Sequence, residues 1–197
     1  MQKWIVWVGI VAVALGAQAG SHGESVQAAS WSLDPAHSSV GFTVRHLGIV
    51  HVRGHFNEYE GAIYYDGENI ESLRVEATIQ AASVDTSVER RDDHLRSEDF
   101  FEVATYPAIT FHSTGVVDHD DGYALEGALT IKEVTKPVRL PLVVNGPAGD
   151  PWGNQRIGIE LAGSIDRHDF GVGFDGPADG MIGAVVRFDI QLQAIGQ

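Results

Sequence analysis

The sequence predicts an all-β fold, either a β-sandwich or an antiparallel barrel. Apolar and polar residues alternate through most of the chain, as where Val75, Ala77, Ile79 and Ala81 interleave with Arg74, Glu76, Thr78 and Gln80. Turn signals such as Asp66-Gly67 and Asp118 to Gly122 bound about eight or nine short strands. No long helical period interrupts them, which fits a sandwich or barrel. About eight strands closed into a barrel leave room for side chains or one small ligand, and periodicity does not say which.

The chain has 197 residues. Lys3 followed by an apolar run from Trp4 to Leu15, and then Ala17-Gln18-Ala19, matches a Sec-type signal peptide over residues 1–19. The alternative is an uncleaved anchor. No Cys follows the run, which excludes a lipoprotein anchor, and residues 20–30 read as a flexible polar tail. The expected location is periplasmic or secreted.

The folded part opens at Trp31, with a turn at Asp34-Pro35. A strand follows, with Ser38, Val40, Phe42, Val44 and His46 on its inward face. Leu47 to Arg53 reads as a loop. Gly54 to Tyr65 reads as a strand region around Phe56, Ile63 and Tyr65, broken near Gly61. Beyond Pro107, Ile109 and Phe111 share one strand face. Further faces carry Tyr123, Leu125, Leu129 and Ile131, then Val138, Leu140, Leu142 and Val144, then Ile157, Ile159, Leu161 and Ile165. Asn145 to Asn154, with two Pro and three Gly, reads as a loop, and Asp166 to Met181 as a long Gly-rich segment. The last strand alternates Ala184, Val186, Phe188, Ile190 and Leu192 against Val185, Arg187, Asp189 and Gln191.

One stretch breaks the pattern. Val84 to Phe101 holds six acids, three arginines and one histidine, then ends on two phenylalanines. Ser97 is placed to cap a short helical turn carrying Asp99 and Phe100. The connector is either a solvated crossover or a mouth, with Phe100 and Phe101 inside and Arg91, Asp92 and His94 at the rim.

Composition narrows the function. Hydrophobic content is 44% and the formal net charge is -14. An acidic surface argues against nucleic acid and against attraction to anionic headgroups, though not against one lipid held inside. With no Cys there are no disulfides, thiolate nucleophiles or Cys-based zinc sites. There is no G-x-S-x-G elbow. Gly171 to Gly176 satisfies G-x-G-x-x-G, and Asp169-Phe170-Gly171 spells a kinase triplet, but neither has its surroundings. Nine histidines, with His46, His51 and His55 close together, keep a metal-assisted hydrolase as a rival reading. An exported structural domain with a filled core is another.

The motifs then add up. W-S-L-D-x-x-H-S-x-V-x-F-x-V-R-H at Trp31 to His46 resembles the opening strand of the YceI-like family of exported polyisoprenoid-binding proteins. Val84-Asp85-Thr86, with Arg91-Asp92-x-His94-Leu95-x-Ser97-x-Asp99-Phe100-Phe101, resembles that family's central signature. Tyr106-Pro107-x-Ile109-x-Phe111, Leu129-Thr130-Ile131, Val134-Thr135-Lys136-Pro137 and Asp166-Arg167-x-Asp169-Phe170-Gly171 follow in order. Glu133 stands where the family usually has Gly, which suggests a changed turn there.

The resemblance covers nearly the whole mature chain, as one domain over residues 31–196. It implies an extended lipocalin-like antiparallel β-barrel with a short helical connector and an apolar tunnel. The implied function is a carrier, not an enzyme, that transports a long-chain isoprenoid amphiphile such as a polyprenyl phosphate or quinone. No cofactor, metal, nucleic acid or stable membrane insertion after leader cleavage is expected, and homodimerisation is left open. The expected tunnel lining is Val40, Phe42, Val44, Phe56, Ile79, Phe100, Phe101, Ile109, Phe111, Leu129, Leu140 and Phe188. The expected head-group site is His37, Arg45, His46, Arg91, Asp92 and His94. Arg91 leads that set, since a guanidinium suits phosphate.

Overall fold

A computed structural model describes residues 29–197 apart from Asp121 and Asp175. The expected signal peptide and most of the expected tail lie outside the described residues. The strands are β1 (Ala29–Leu33), β2 (Ser39–His46), β3 (Val50–Phe56), β4 (Tyr59–Tyr65), β5 (Arg74–Gln80), β6 (Val84–Asp85), β7 (Ala108–His119), β8 (Gly122–Ile131), β9 (Val134–Gly149), β10 (Gln155–Asp166) and β11 (Ile182–Gly196), with one α-helix, α1 (Glu89–Arg96). β1 begins at Ala29, so Ala29 and Ser30 pair with Tyr65 and Tyr64 rather than belonging to the tail.

The ladders run β1-β4-β5-β7-β8-β9-β10-β11, and β11 pairs back onto β1. This closes an eight-strand antiparallel barrel. β2 and β3 extend β1 and β4 upward, pairing with β11 and with each other, and β6 adds to β3. The upper end carries the β2–β3 turn, the connector with α1, the β8–β9 turn and the segment Arg167 to Met181. The lower end carries the C-terminus and the β9–β10 turn.

Side-chain parity explains the long first two staves. In β1 the inward residues are odd, Trp31 and Leu33; in β2 they are even, Val40, Phe42 and Val44. A strand of period two turns every side chain over if it slips by one residue. The chain avoids this with an odd excess of residues, since nine positions separate Trp31 from Val40 while six separate their partners Gly196 and Ile190. A 3-10 turn at Pro35–His37 takes up the excess. The neighbouring stave switches in step at Asn57-Glu58, from inward Phe56 to inward Tyr59, Ile63 and Tyr65.

That switch corrects the expected break near Gly61, which lies inside β4. The expected loop Leu47 to Arg53 is mostly strand, because Val50 to Arg53 pair with Thr43 to His46. β9 likewise runs on through Gly146, whose φ of 97° forms a bulge, to pair Gly149 with Gln155, so only Asp150 to Asn154 loops out. Ser97 ends α1, its N–H bonding the His94 carbonyl, and it also caps the turn that follows, its Oγ accepting the Asp99 N–H and its carbonyl the Phe100 N–H. The acids Glu89 and Asp92 in the first turn of α1, and His94 and Arg96 in the last, complement the helix dipole. At the β8–β9 turn the positive φ falls on Lys132, which leaves Glu133 free to accept from the Tyr106 hydroxyl.

One ladder is incomplete. β9 pairs with β10 only from Leu142↔Leu161 downward; above that, Val134 to Pro141 pair with β8 alone and Ala162 to Asp166 with β11 alone. The tight β8–β9 turn directs the odd residues of β9 toward β10. Pro137 and Pro141 stand at two of those positions and have no N–H to offer. Buried residues form a lower cluster around Trp31, Ile63, Tyr65, Leu73 and Ile157 and an upper one around Val40, Phe56, Val84, Phe100 and Phe170. The Trp31 indole donates to the Tyr65 carbonyl at 2.9 Å, fixing the lower plug.

Parity makes a length test. Deleting Ala36 alone is expected to turn β1 inside out, and deleting Pro35 and Ala36 together is expected to preserve the alternation. Thermal denaturation should show the single deletion as much the less stable of the two.

Candidate functional site

The barrel encloses an apolar cavity of about 210 Å³. Its wall runs from Leu33 and Leu192 low in the barrel to Leu95, Arg167 and Ile182 at the upper end, and it presents no polar surface. Leu192 and Ile182 are ten residues apart on β11, about 33 Å of strand at 3.3 Å per residue. A small volume along so long a wall makes the space narrow, which suits a flexible chain better than a fused ring system.

Three glycines keep the lumen open. Gly54, Gly127 and Gly163 occupy inward positions, and a Cβ built on each would lie 2.4, 2.5 and 2.6 Å from the Cζ of Phe42, Phe111 and Phe188 respectively. Each ring therefore folds back against a bare stretch of wall. A side chain at the glycine would push the ring into the cavity. The Phe42, Phe56 and Phe101 rings continue the upper wall, with successive centroids 5.6 and 5.7 Å apart.

All twelve expected tunnel residues lie on this wall: Val40, Phe42, Val44, Phe56, Ile79, Phe100, Phe101, Ile109, Phe111, Leu129, Leu140 and Phe188. Phe100 also meets His94 and Phe174 edge-on, so it belongs to the packing of the mouth as well.

The six expected head-group residues are not brought together, and none lines the cavity. His37 lies at the β1–β2 kink, paired with Asp34 at 3.0 Å. Arg45 is exposed and donates to the Gly48 carbonyl. His46 is on the inward face, as alternation predicts, but β2 has passed the rim there and the side chain is exposed. Arg91 and Asp92 do not pair with each other; both hold Thr86. Arg91 donates to the Thr86 hydroxyl (2.6 Å) and carbonyl (2.8 Å), and the buried Asp92 carboxylate accepts the Thr86 N–H and hydroxyl. His94 pairs with Asp99 at 2.8 Å. The connector signature thus ties α1 to β6, where Arg96 also donates to the Ala82 and Val84 carbonyls.

Glu60, Glu76 and Arg167 are the charged residues along the wall, and the buried one, Arg167, is absent from the expected site. Arg167 is 3% exposed, and its guanidinium makes a two-pronged pair with Asp179, both contacts 2.7 Å. It also donates to the carbonyls of Val172, Ile182 and Gly183. Gly173 permits this approach, since a Cβ there would lie 2.3 Å from Nη1. Arg167 thereby clamps the segment over the upper end of the barrel. Hydrogen bonds from Arg167, with help from His168, hold the Asp179 carboxyl well below its ordinary pKa. The motif containing Arg167 was readable, but no alternation reaches into a 3-10 turn to show which way its side chain points. Tyr59 also lines the wall, and burial pushes its phenol up, so it stays neutral.

The described histidines do not converge on a shared site. His51 and His55 lie on the outer face of β3. Among the described residues no three His, Asp or Glu side chains converge in a way that could hold a metal. Likewise, no described helix is long and apolar enough to cross a membrane.

A closed antiparallel barrel around an apolar cavity, dressed at one end by a short helix and a clamped segment, defines a lipocalin-like fold. The YceI-like domain matches residues 31–194, and the chain belongs to that family. A UPF0312 protein of Yersinia pestis (strain Pestoides F) is 39% identical over 172 residues, 86% of this chain and 89% of its own length. The crystal structure of the Campylobacter jejuni YCEI protein superimposes with a TM-score of 0.70 at 33% identity, covering 84% of this chain and 97% of that one. A polyisoprenoid binding domain from Saccharophagus degradans shares the fold at a TM-score of 0.66 and 20% identity, covering 87% of this chain and all of that one.

Two substitutions test the site. Gly163→Ala should force the Phe188 ring into the lumen and lower stability by roughly 1–3 kcal/mol, the usual cost of overpacking, read by chemical denaturation. Asp179→Asn should lower the melting midpoint at neutral pH by leaving Arg167 buried without its counter-charge. Because the folded-state pKa of Asp179 is depressed, its stabilisation is complete above the ordinary value of 3.8 and fades as the pH falls below it. The difference between parent and variant should therefore shrink on acidification.

Proposed function

We propose that this protein is an exported carrier, periplasmic or secreted, that sequesters or shuttles a long-chain isoprenoid amphiphile with the tail inside the barrel. The observation that carries this is the cavity: narrow, wholly apolar, and kept open by glycines beneath three phenylalanine rings. The Saccharophagus degradans neighbour, described as a polyisoprenoid binding domain, supports the ligand class. The leader pattern at residues 1–19 supports export. Each methylene moved from water into such a lumen is worth about 0.8 kcal/mol, so a long tail supplies affinity without polar contacts. Selectivity along the tail is then loose and set by cavity width.

The head group lies outside the apolar lumen in this reading, at the upper end, where Arg167 is already engaged by Asp179. Native mass spectrometry or organic extraction of protein from its own host is expected to release a prenyl lipid. Ala77 lies on the lumen wall between Val75 and Ile79. Ala77→Phe should take the space of about four methylenes, weakening binding by about 3 kcal/mol, with the fold retained by circular dichroism. Repeated absence of lipid from gently isolated protein, with unchanged behaviour of Ala77→Phe, would overturn the carrier and leave a structural domain.

A further inference from the structure

The β2–β3 hairpin differs in charge from the rest of the chain. From Ser38 to Asn57 there is no Asp or Glu, yet this span carries Arg45, His46, His51, Arg53 and His55, in a protein with 27 acids against 13 Lys and Arg. Register gathers the charges. Arg45 sits opposite His51, and Thr43 is flanked by Arg53 on β3 and Arg187 on β11. Arg45, His51, Arg53 and Arg187 are all exposed on the outer face. Elsewhere Arg96, Lys132, Lys136, Arg139, Arg156 and Arg167 are each engaged by a carboxylate. Among the described residues Arg45, Arg53, Arg74, Arg90, Arg91 and Arg187 have no such partner, and Arg45, Arg53 and Arg187 share this one face. The first acid down β11 is Asp189, one outward position beyond Arg187.

The tip of the same hairpin is apolar. Leu47, Ile49 and Val50 are 51%, 80% and 55% exposed, and Met181, 43% exposed, is held beside them by a 2.7 Å bond from the Leu47 N–H to its carbonyl. Single exposed apolar side chains are ordinary, but a contiguous group rimmed by one sign of charge marks an interaction surface. The position matters too. Val44, Ile182 and Val186 line the cavity, and in the ladders they lie immediately below the tip.

We propose that this hairpin docks the protein on an anionic lipid bilayer. Leu47, Ile49 and Val50 enter the boundary between headgroups and acyl chains, and Arg45, Arg53 and Arg187 meet lipid phosphates. A convex aliphatic tip above a basic collar suits a fluid surface that deforms around it, whereas a protein partner would need a matching hollow. The expectation that an acidic chain is not drawn to anionic headgroups holds only for evenly spread charge. Salt confines the field of the distant acids to about 10 Å, so the collar dominates at contact. Docking would set the upper end of the cavity against lipid, and it stands whatever the cavity holds.

The test is co-sedimentation with vesicles, using protein from its host, with the N-terminus of parent and variants verified by intact mass. Parent should bind phosphatidylcholine–phosphatidylglycerol vesicles, less so as salt is raised, and bind pure phosphatidylcholine poorly. Neutralising two arginines in Arg45→Gln with Arg53→Gln should weaken binding roughly 25-fold, about fivefold for each basic residue at an anionic surface. Ile49→Ser should also weaken it, both variants keeping the parental melting midpoint. Parental binding by both variants, or equal binding to neutral vesicles, would overturn the proposal. So would binding to soluble polyglutamate without binding to vesicles, which would assign the surface to an acidic protein.

Discussion

The barrel depends on the kink between β1 and β2, where the chain reverses side-chain parity without leaving its partner. Asp34 holds that kink. Its carboxylate accepts from the Ala36 N–H, from Arg156 at 2.8 Å and from Gln193 at 3.1 Å, and pairs with His37. Its N–H donates to the Gln193 carbonyl, and its own carbonyl accepts from Ser38. His37, Arg156 and the Ala36 N–H hold its pKa down. One carboxylate thus binds the bend to β10 and β11, and Arg156 passes the link on to Asp150 at the foot of β10. Trp31 and Leu33 face inward only because of this bend. Without them the lower end would lose its plug and the last ladder would not close.

The same constraint explains what the sequence could show. Period-two alternation is a local signal, so it placed the faces of β5, β7, β9 and β11 and, through them, the wall of the lumen. It could not place the parity switches. Phe56 and Ile63 have opposite parity, which required a break between them, but a glycine drew attention to position 61 when the break lay at Asn57-Glu58. Pro and Gly also misdirected the reading of Asn145 to Asn154, because a bulge at Gly146 lets a strand continue where composition suggests a loop. α1 is eight residues of almost uniform polarity, so it has no apolar stripe for a period to reveal.

The polar half of the site was less legible for a physical reason. Arg91, Asp92 and His94 stand in a family-like signature, but a polar side chain in a motif can hold the backbone as readily as a ligand. Their partners, Thr86 and Asp99, are near in sequence, and the bonds they make are internal to the connector. Arg167 shows the converse. It reaches the lumen because Gly173 is bare and Asp179 folds back over it, and both depend on a tertiary arrangement twelve residues deep. Net charge hid a further feature, since a sum over the chain cannot show that one hairpin carries no acid at all.

The unpaired length between β9 and β10 has a mechanical meaning. In a barrel with every ladder complete, circumference is set by hydrogen bonds, and widening it means breaking them in sequence. Here one seam in the upper half has no ladder to break. It is spanned by the Lys136–Asp169 contact at 2.8 Å, by Lys136 over the Phe170 ring, and by Leu140 beside Gly163. Such contacts lengthen and re-form at small cost. The upper half therefore has one seam between β9 and β10 joined by side chains alone, much as a sleeve is buttoned at the cuff rather than sewn.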